Sequence, residues 1–113
     1  MSDCLFCKIV KGEIPSTKVY EDDRVYAFMD IDPKAPFHAI VIPKQHIAGA
    51  ADISAENSAD IAAVFEAIAK IAKLENLENG FRIVNNCGKD GGQTVGHIHF
   101  HLLARRALAW PPG

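Results

Sequence analysis

From His97 to His101 a histidine stands at every second position, with Ile98, Phe100 and Leu102 filling the alternate ones, inside the run Gly-Gly-Gln-Thr-Val-Gly-His-Ile-His-Phe-His-Leu-Leu from Gly91 to Leu103. A period of two is the signature of a strand. Side chains alternate across a strand that rises roughly 3.3 Å per residue, so the imidazoles share one face about 7 Å apart and the apolar residues share the other. A lone histidine usually just fills the polar face of a half-exposed strand. Three in strict alternation after a Gly-Gly turn point instead to chemistry, because imidazole titrates near neutrality and serves as nucleophile, proton donor or metal ligand. The row admits two readings, a metal site or a covalent phosphoryl-type site.

The rest of the chain narrows the choice. With 113 residues, residues 1–113 are expected to form a single domain able to bury roughly two thirds of its unfolded surface. Apolar residues make up 49% and charged residues 23%, ordinary for a soluble globular protein, and no apolar run approaches the ~20 residues of a membrane span. The start Met1-Ser2-Asp3-Cys4 has neither the basic region nor the apolar core of a signal peptide, so a cytosolic (cytoplasmic) protein is expected. A net charge of −2, with no basic cluster beyond Arg105-Arg106, leaves no electrostatic footprint for a nucleic-acid polymer. Of the three cysteines, Cys4 and Cys7 are too close for an ordinary structural disulfide, which leaves a metal or a redox pair. The redox reading lacks the βαβ context that thioredoxin-type pairs require.

Apolar residues at Leu5, Phe6, Ile9, Val10 and Ile14 predict a short helix ended by Pro15. Thr17 to Glu21 and Arg24 to Asp30 read as a hairpin, and the two prolines of Asp32-Pro33-Lys34-Ala35-Pro36 read as a loop. His38 to Pro43 is a strand apolar enough to be buried on both faces, with His46 in the turn after it. Ser54 is a candidate N-cap for a long helix, about Ala55 to Glu75, whose stripe runs through Ile61, Val64, Phe65, Ile68, Ile71 and Ala72. Asn79-Gly80 supplies the left-handed positions expected to stop it, and Phe81 to Asn86 is a fourth strand. Five antiparallel strands with one long helix, and no βαβ alternation, indicate an α+β domain.

Two constellations carry the chemistry. Cys4, Cys7, His46 and His97 make a complete Cys₂His₂ set for structural zinc, although the spacing is not that of a zinc finger. The plain alternative leaves the site empty, with the cysteines as small buried hydrophobes. For His97 to bind metal the histidine strand must be irregular at its start, which Gly96 permits. A rival metal reading gathers His97, His99 and His101 around an open catalytic zinc, and leaves the cysteines unexplained. The loop Cys87 to Thr94 is rich in glycine and could turn backbone N–H groups toward an anion, with the Thr94 hydroxyl beside them. A phosphate held there lies against His99, whose neutral imidazole could attack phosphorus if its other ring N–H were engaged by a carbonyl.

With His-Ile-His-Phe-His-Leu-Leu in view, the chain resembles the histidine triad (HIT) family, in its branch of histidine triad nucleotide-binding proteins. The resemblance extends from Phe6-Cys7-Lys8-Ile9 through Tyr20 to Arg24 and Ile42 to His46 as far as Trp110-Pro111-Pro112-Gly113. It implies a five-stranded antiparallel sheet with one long and one short helix, and a homodimer whose sheets join into one. It also implies hydrolysis of purine nucleoside phosphoramidates or related adenylates through a nucleotidyl-histidine intermediate. By the resemblance His99 is the nucleophile, and His101 and His38 support it or contact the phosphate. Asn86, Gly92 and Thr94 contact phosphate as well, Asp30 accepts from the ribose hydroxyls, and Phe28 and Ile31 sandwich the base. Phe28 and Ile31 could instead be plain core, and Asp30 could cap a loop, the less favoured readings given the resemblance. Cys4, Cys7, His46 and His97 resemble the zinc set of some bacterial members, a structural site that catalysis does not need. Thr94 departs from the commoner serine, Cys87 has no role by the resemblance, and the Trp110 to Gly113 tail resembles one that lies near the partner's site. Two other functions fit the same residues: a dinucleoside polyphosphate hydrolase, and a non-catalytic, zinc-stabilised scaffold that binds nucleotides or partners.

Overall fold

In the computed structural model, which describes residues 3–113, the elements follow the sequence pattern with informative shifts at their ends. Strands β1 (Lys18–Glu21), β2 (Val25–Met29), β3 (Phe37–Pro43), β4 (Phe81–Val84) and β5 (Phe100–Ala104) form one sheet in the order β1-β2-β3-β5-β4, every neighbouring pair antiparallel. Helix α1 (Leu5–Val10) precedes β1, the long α2 (Ser58–Leu74) joins β3 to β4, and a four-residue α3 (Gly88–Gly91) lies between β4 and β5. Among the described residues no helix is long and apolar enough to cross a membrane.

The period of two sorts the side chains onto two faces. Val25 and Ala27 of β2, Phe37, Ala39 and Val41 of β3, and Phe100, Leu102 and Ala104 of β5 turn toward Val64, Ala67, Ile68 and Ile71 of α2. Those four recur at helical spacing, and full burial of each large one contributes about 1.5 to 3 kcal/mol. On the other face Tyr26, Phe28, Ile40 and Ile42 pack beneath Phe6 and Ile9 of α1. β3 is the middle strand and every residue of it is buried, as its continuous apolar run predicts. The sheet thus has an α2 face and an α1 face, and His38 and His101 belong to the second.

Several boundaries differ from expectation for local reasons. α1 stops at Val10, before Ile14 and Pro15, because Gly12 takes a left-handed φ of 79° and Gly12 N–H and Glu13 N–H return to carbonyls of the helix. Ser54 lies a turn upstream of α2: its hydroxyl accepts from Glu56 N–H, while Asn57 occupies the cap position and its side-chain oxygen accepts from Ser54 N–H. α2 ends at Leu74, with Asn76 at φ 56° taking the left-handed turn that was expected of Asn79-Gly80; Gly80 is itself left-handed at φ 102°, further along. The loop expected from Cys87 to Thr94 folds its first part into α3. β5 begins only at Phe100, so His97 and His99 precede the paired strand.

Candidate functional site

His38 and His101 reach each other because β3 and β5 are neighbours in register, with Ile40 opposite His101 and His38 opposite Leu103. Their rings face across the α1 side, His38 Nε2 lying 2.8 Å from His101 Nδ1. The proton positions follow from the outer partners. Lys34 N–H donates to His38 Nδ1 at 3.0 Å, so Nδ1 is the acceptor and Nε2 carries the hydrogen. His38 Nε2–H therefore donates to His101 Nδ1, and His101 is left with its own Nε2–H as a free donor. Asp30, at the end of β2, places a carboxylate oxygen 3.3 Å from His38 Nε2 and 3.9 Å from His101 Nδ1. Burial pushes both histidines below the ordinary imidazole value; for His101 the neighbouring His99 and His38 add to it, and Asp30 opposes it in both.

His99 is buried between these rings and α1. Its Nδ1 lies 2.8 Å from the carbonyl of His97, which can only accept, so Nδ1 carries the hydrogen and Nε2 holds an unshared pair. The ring stands edge-on to His101 at 5.2 Å between centroids and to Phe6 at 5.1 Å. This is the arrangement a histidine needs to act as a nucleophile, and next to it a second histidine offers an N–H. Asn85, which the sequence pattern did not single out, donates from its side chain to the His99 carbonyl at 2.9 Å and fixes the backbone where strand pairing has not yet begun. Phe6, an apolar position of the first helix by its spacing, also packs on the His99 ring. Its contact with His99 depends on tertiary packing that no local pattern encodes.

His97 turns away from His99 and joins the cysteines. Its Nδ1 lies 3.4 Å from Cys4 Sγ and 3.5 Å from Cys7 Sγ, and His46 Nδ1 lies 3.4 Å from Cys7 Sγ. The ligand atoms of Cys4, Cys7, His46 and His97 all fall within 4.8 Å of one another. Zinc bonds of about 2.3 Å to sulfur and about 2.0 to 2.1 Å to nitrogen at tetrahedral angles place neighbouring S and N atoms about 3.6 Å apart. The observed spacing fits a zinc ion. The ring is also set for it: His97 Nε2 donates to the Pro43 carbonyl at 2.9 Å, which leaves Nδ1 as the electron-pair donor facing both sulfurs. Burial, then the neighbouring Cys4, pushes the Cys7 thiol up, as expected of two thiols crowded together until a cation draws off their protons. Gly96 lies in a bend ahead of His97, where the predicted irregularity falls. Among the described residues His97, His99 and His101 do not converge as a metal-binding group, which removes the open catalytic zinc.

A second set of potential ligands, Asp30, His38 and His101, also lies within 4.8 Å. A cation there would need lone pairs on both His38 Nε2 and His101 Nδ1. Lys34 N–H already claims the other nitrogen of His38, so this cluster is a hydrogen-bond relay.

Phe28 is buried in the α1-side core, whereas Ile31 is fully exposed (101%) at the mouth of the β2–β3 loop. Gly92, at a left-handed φ of 79°, and Thr94 are exposed on the segment leading to His97, and Asn86 is half-buried just after β4. A recess of about 660 Å³ opens beside this segment, lined by Gly49, Cys87, Lys89, Gln93 and Thr94 among others. Gln93 closes its floor: its oxygen accepts from Gly88 N–H at 3.0 Å and its nitrogen donates to the carbonyls of Ala48 at 2.8 Å and Val95 at 2.9 Å. Gly49 lies so near that a Cβ there would come within 3.2 Å of the Gln93 oxygen. Cys87 is exposed and free. Toward the C-terminus Arg82 holds the carbonyls of Leu108 and Ala109 against β4, and Trp110 is exposed.

The HIT domain family model matches residues 11–108. A 14 kDa zinc-binding protein of Zea mays is 49% identical over 115 residues, covering 99% of this chain and 89% of that protein. The purine nucleoside phosphoramidase of Escherichia coli (strain K12) is 45% identical over 107 residues, covering 94% and 90% of the two chains. Among solved structures, a HIT family hydrolase from Legionella pneumophila Philadelphia 1 superposes with a TM-score of 0.95 at 49% identity, covering 98% of this chain and all of that one (100%).

Proposed function

The chain belongs to the HIT family, and from that premise we propose that it hydrolyses purine nucleoside phosphoramidates or related adenylates through a transient bond between His99 and phosphorus. The observation that carries this reading is the 2.8 Å bond from His99 Nδ1 to the His97 carbonyl, which leaves Nε2 unprotonated. Support comes also from the relative of Escherichia coli that bears the name purine nucleoside phosphoramidase.

In this reading His99 Nε2 attacks the α-phosphorus, the P–N bond breaks, and the departing nitrogen keeps the electron pair. The departing nitrogen takes a proton from solvent while His101 Nε2–H, beside it, donates a hydrogen bond to it. Water then attacks the phosphorus, the bond to His99 breaks, and the proton that water loses returns to solvent. The imidazolium formed on His99 in the intermediate becomes neutral again as that bond breaks. Gly92, Thr94 and Asn86 hold the nonbridging oxygens, where preorganised donors contribute roughly 3 to 4 kcal/mol each to the transition state. Asp30 accepts from the ribose hydroxyls, and Phe28 and the exposed Ile31 form the walls of the base site.

The relay sets a pH dependence. A further proton on His101 requires Nδ1, which His38 occupies, so protonation breaks the relay. Both pKa values are lowered by burial from the ordinary 6.5, so kcat/KM should hold level as pH falls to that value and decline only below it. A pH profile with its acid limb above neutrality would sink the relay.

Zinc held by Cys4, Cys7, His46 and His97 supplies a closed structural cross-link among three segments and no reactive group. Elemental analysis of protein purified without chelator should find about one zinc per chain, and Cys7→Ser should lose it. An intact protein free of zinc would remove the structural metal from this account.

We infer a homodimer as well, joined along β4. It is an edge strand, and Phe81 on it and Phe65 and Leu74 on α2 are exposed, an apolar set of the kind that subunit contacts cover. Light scattering should give twice the mass of one chain; a monomer at micromolar concentration would overturn the dimer. A soluble nucleotide hydrolase with reduced thiols suits the cytoplasm.

A further inference from the structure

The stretch from Gly96 to His99 carries the nucleophile yet lies outside the sheet, because β5 starts at Phe100. What holds it comes largely from the metal-binding tetrad. His97 contributes its ring to the tetrad and its carbonyl to His99 Nδ1–H. His46 is followed by Ile47, whose carbonyl accepts from Ile98 N–H at 2.6 Å. Between Cys4 and Cys7 lies Phe6, whose ring meets the edges of His99 at 5.1 Å and His97 at 6.0 Å. Each of the three ligand-bearing segments therefore sends a residue, or its own backbone, to the stretch that carries the nucleophile. Asn85 provides a separate tie from the β4 side.

The walls of the nucleotide site are held differently. Phe28 is part of β2, Asp30 directly follows it, and His38 is in β3, strands paired in full register with each other. Sheet pairing keeps these residues in place whether or not a cation links the cysteines to the histidines.

We propose that His97 is a positioning residue through which the metal tetrad holds His99 in the Nδ1–H form with Nε2 presented to phosphorus. Cation binding by Cys4, Cys7, His46 and His97 clamps the His97 ring between the two sulfurs and the Pro43 carbonyl. That clamp fixes the peptide plane whose oxygen selects the His99 tautomer. Without the cation the segment keeps Asn85 but loses its rigid anchors. His99 then samples both tautomers, and a misaligned nucleophile lowers the rate while the nucleotide still binds. The inference rests on His99 being the nucleophile, and its principal readout does not need turnover.

The test compares full-length zinc-loaded protein with the same protein stripped by chelator, both labelled with nitrogen-15 in histidine. Long-range proton–nitrogen spectra read the His99 tautomer directly. The expected result is a single Nδ1–H form with zinc and a mixture without it, both reversed on adding zinc back. With the mixture, kcat should fall about tenfold or more, the scale of loss that misplacing a reacting group by a fraction of an ångström brings, and AMP affinity should be unchanged. The Cys4→Ser, Cys7→Ser double variant, which loses the cation without chelator, should match the stripped protein. An unchanged tautomer on stripping overturns the proposal. So does a loss of AMP affinity equal to the loss of kcat, a general collapse of the circular dichroism spectrum, which would make the cation a prop for the whole fold, or a protein that takes up no zinc. Full turnover in His99→Ala would remove the nucleophile assignment itself, and the tautomer result would stand apart from it.

Discussion

Replacing His99 by alanine is expected to lower the turnover of an adenosine phosphoramidate by on the order of 10⁴- to 10⁶-fold, the loss seen when the central member of a concerted nucleophilic site is removed. Binding of adenosine monophosphate should remain near that of the unaltered protein. The asymmetry follows from placement. His99 is buried with its Nδ1 engaged by the His97 carbonyl, whereas Phe28, Asp30 and Ile31 belong to β2 and the loop after it and do not depend on the imidazole. Mass spectrometry after a brief quench adds the covalent arm: the unaltered protein should carry an added nucleotidyl group and His99→Ala none. Turnover within tenfold of normal in the variant would end the proposed mechanism, and an unmodified native protein with tight nucleotide binding would favour a binding scaffold.

Leu102→Ala carries the largest expected cost to stability. Leu102 is fully enclosed, opposite Ala39 of β3 and Ile83 of β4, in the core that α2 covers. Truncating a leucine in such a site costs about 3 to 5 kcal/mol, the transfer of the lost atoms plus the cavity left behind. For a domain of this size that corresponds to a fall in Tm of roughly 10 to 20 °C. Activity per folded molecule, measured well below the new midpoint, should change little. Leu102 and His101 are adjacent in sequence and point to opposite faces of the sheet, so the cavity opens under α2 while the relay stays on the α1 side. Denaturant unfolding gives the first quantity and kcat at low temperature the second. A rate loss rivalling that of His99→Ala would mean that the two faces are not independent.

The alternation around His97 to His101 was legible as a strand only at its far end, since β5 starts at Phe100 and His97 leaves the face that the spacing predicted for all three imidazoles. The continuous apolar run of His38 to Pro43 marked a strand buried on both faces, as β3 is. Element ends were less legible. The end of α1 ahead of Gly12 and of α2 ahead of Asn76 turned on which residue took the left-handed conformation, a local choice that periodicity does not mark. The parts played by Asn85, Gln93 and Phe6 at the site were not legible for a related reason. An asparagine, a glutamine or a phenylalanine has no characteristic spacing, and each acquires its part only from a backbone carbonyl or ring that folding brings from a distant segment.

His97 shows where the division lies. By itself the sequence determined that three imidazoles leave the chain at alternate residues, that two cysteines start the first helix, and that apolar residues back the row, since these depend on periodicities of a few residues. Only the tertiary structure decided that the first imidazole turns to Cys4, Cys7 and His46 while the second turns to its neighbour's carbonyl. That decision is made by β3 ending at Pro43 beside the histidine segment, whose carbonyl takes the His97 N–H, and by Ile47 and Phe6 arriving from elsewhere in the chain. Hydrogen bonds and ligand geometry act between atoms in space, so the proton positions that make His99 reactive could be read only once those atoms had been brought together.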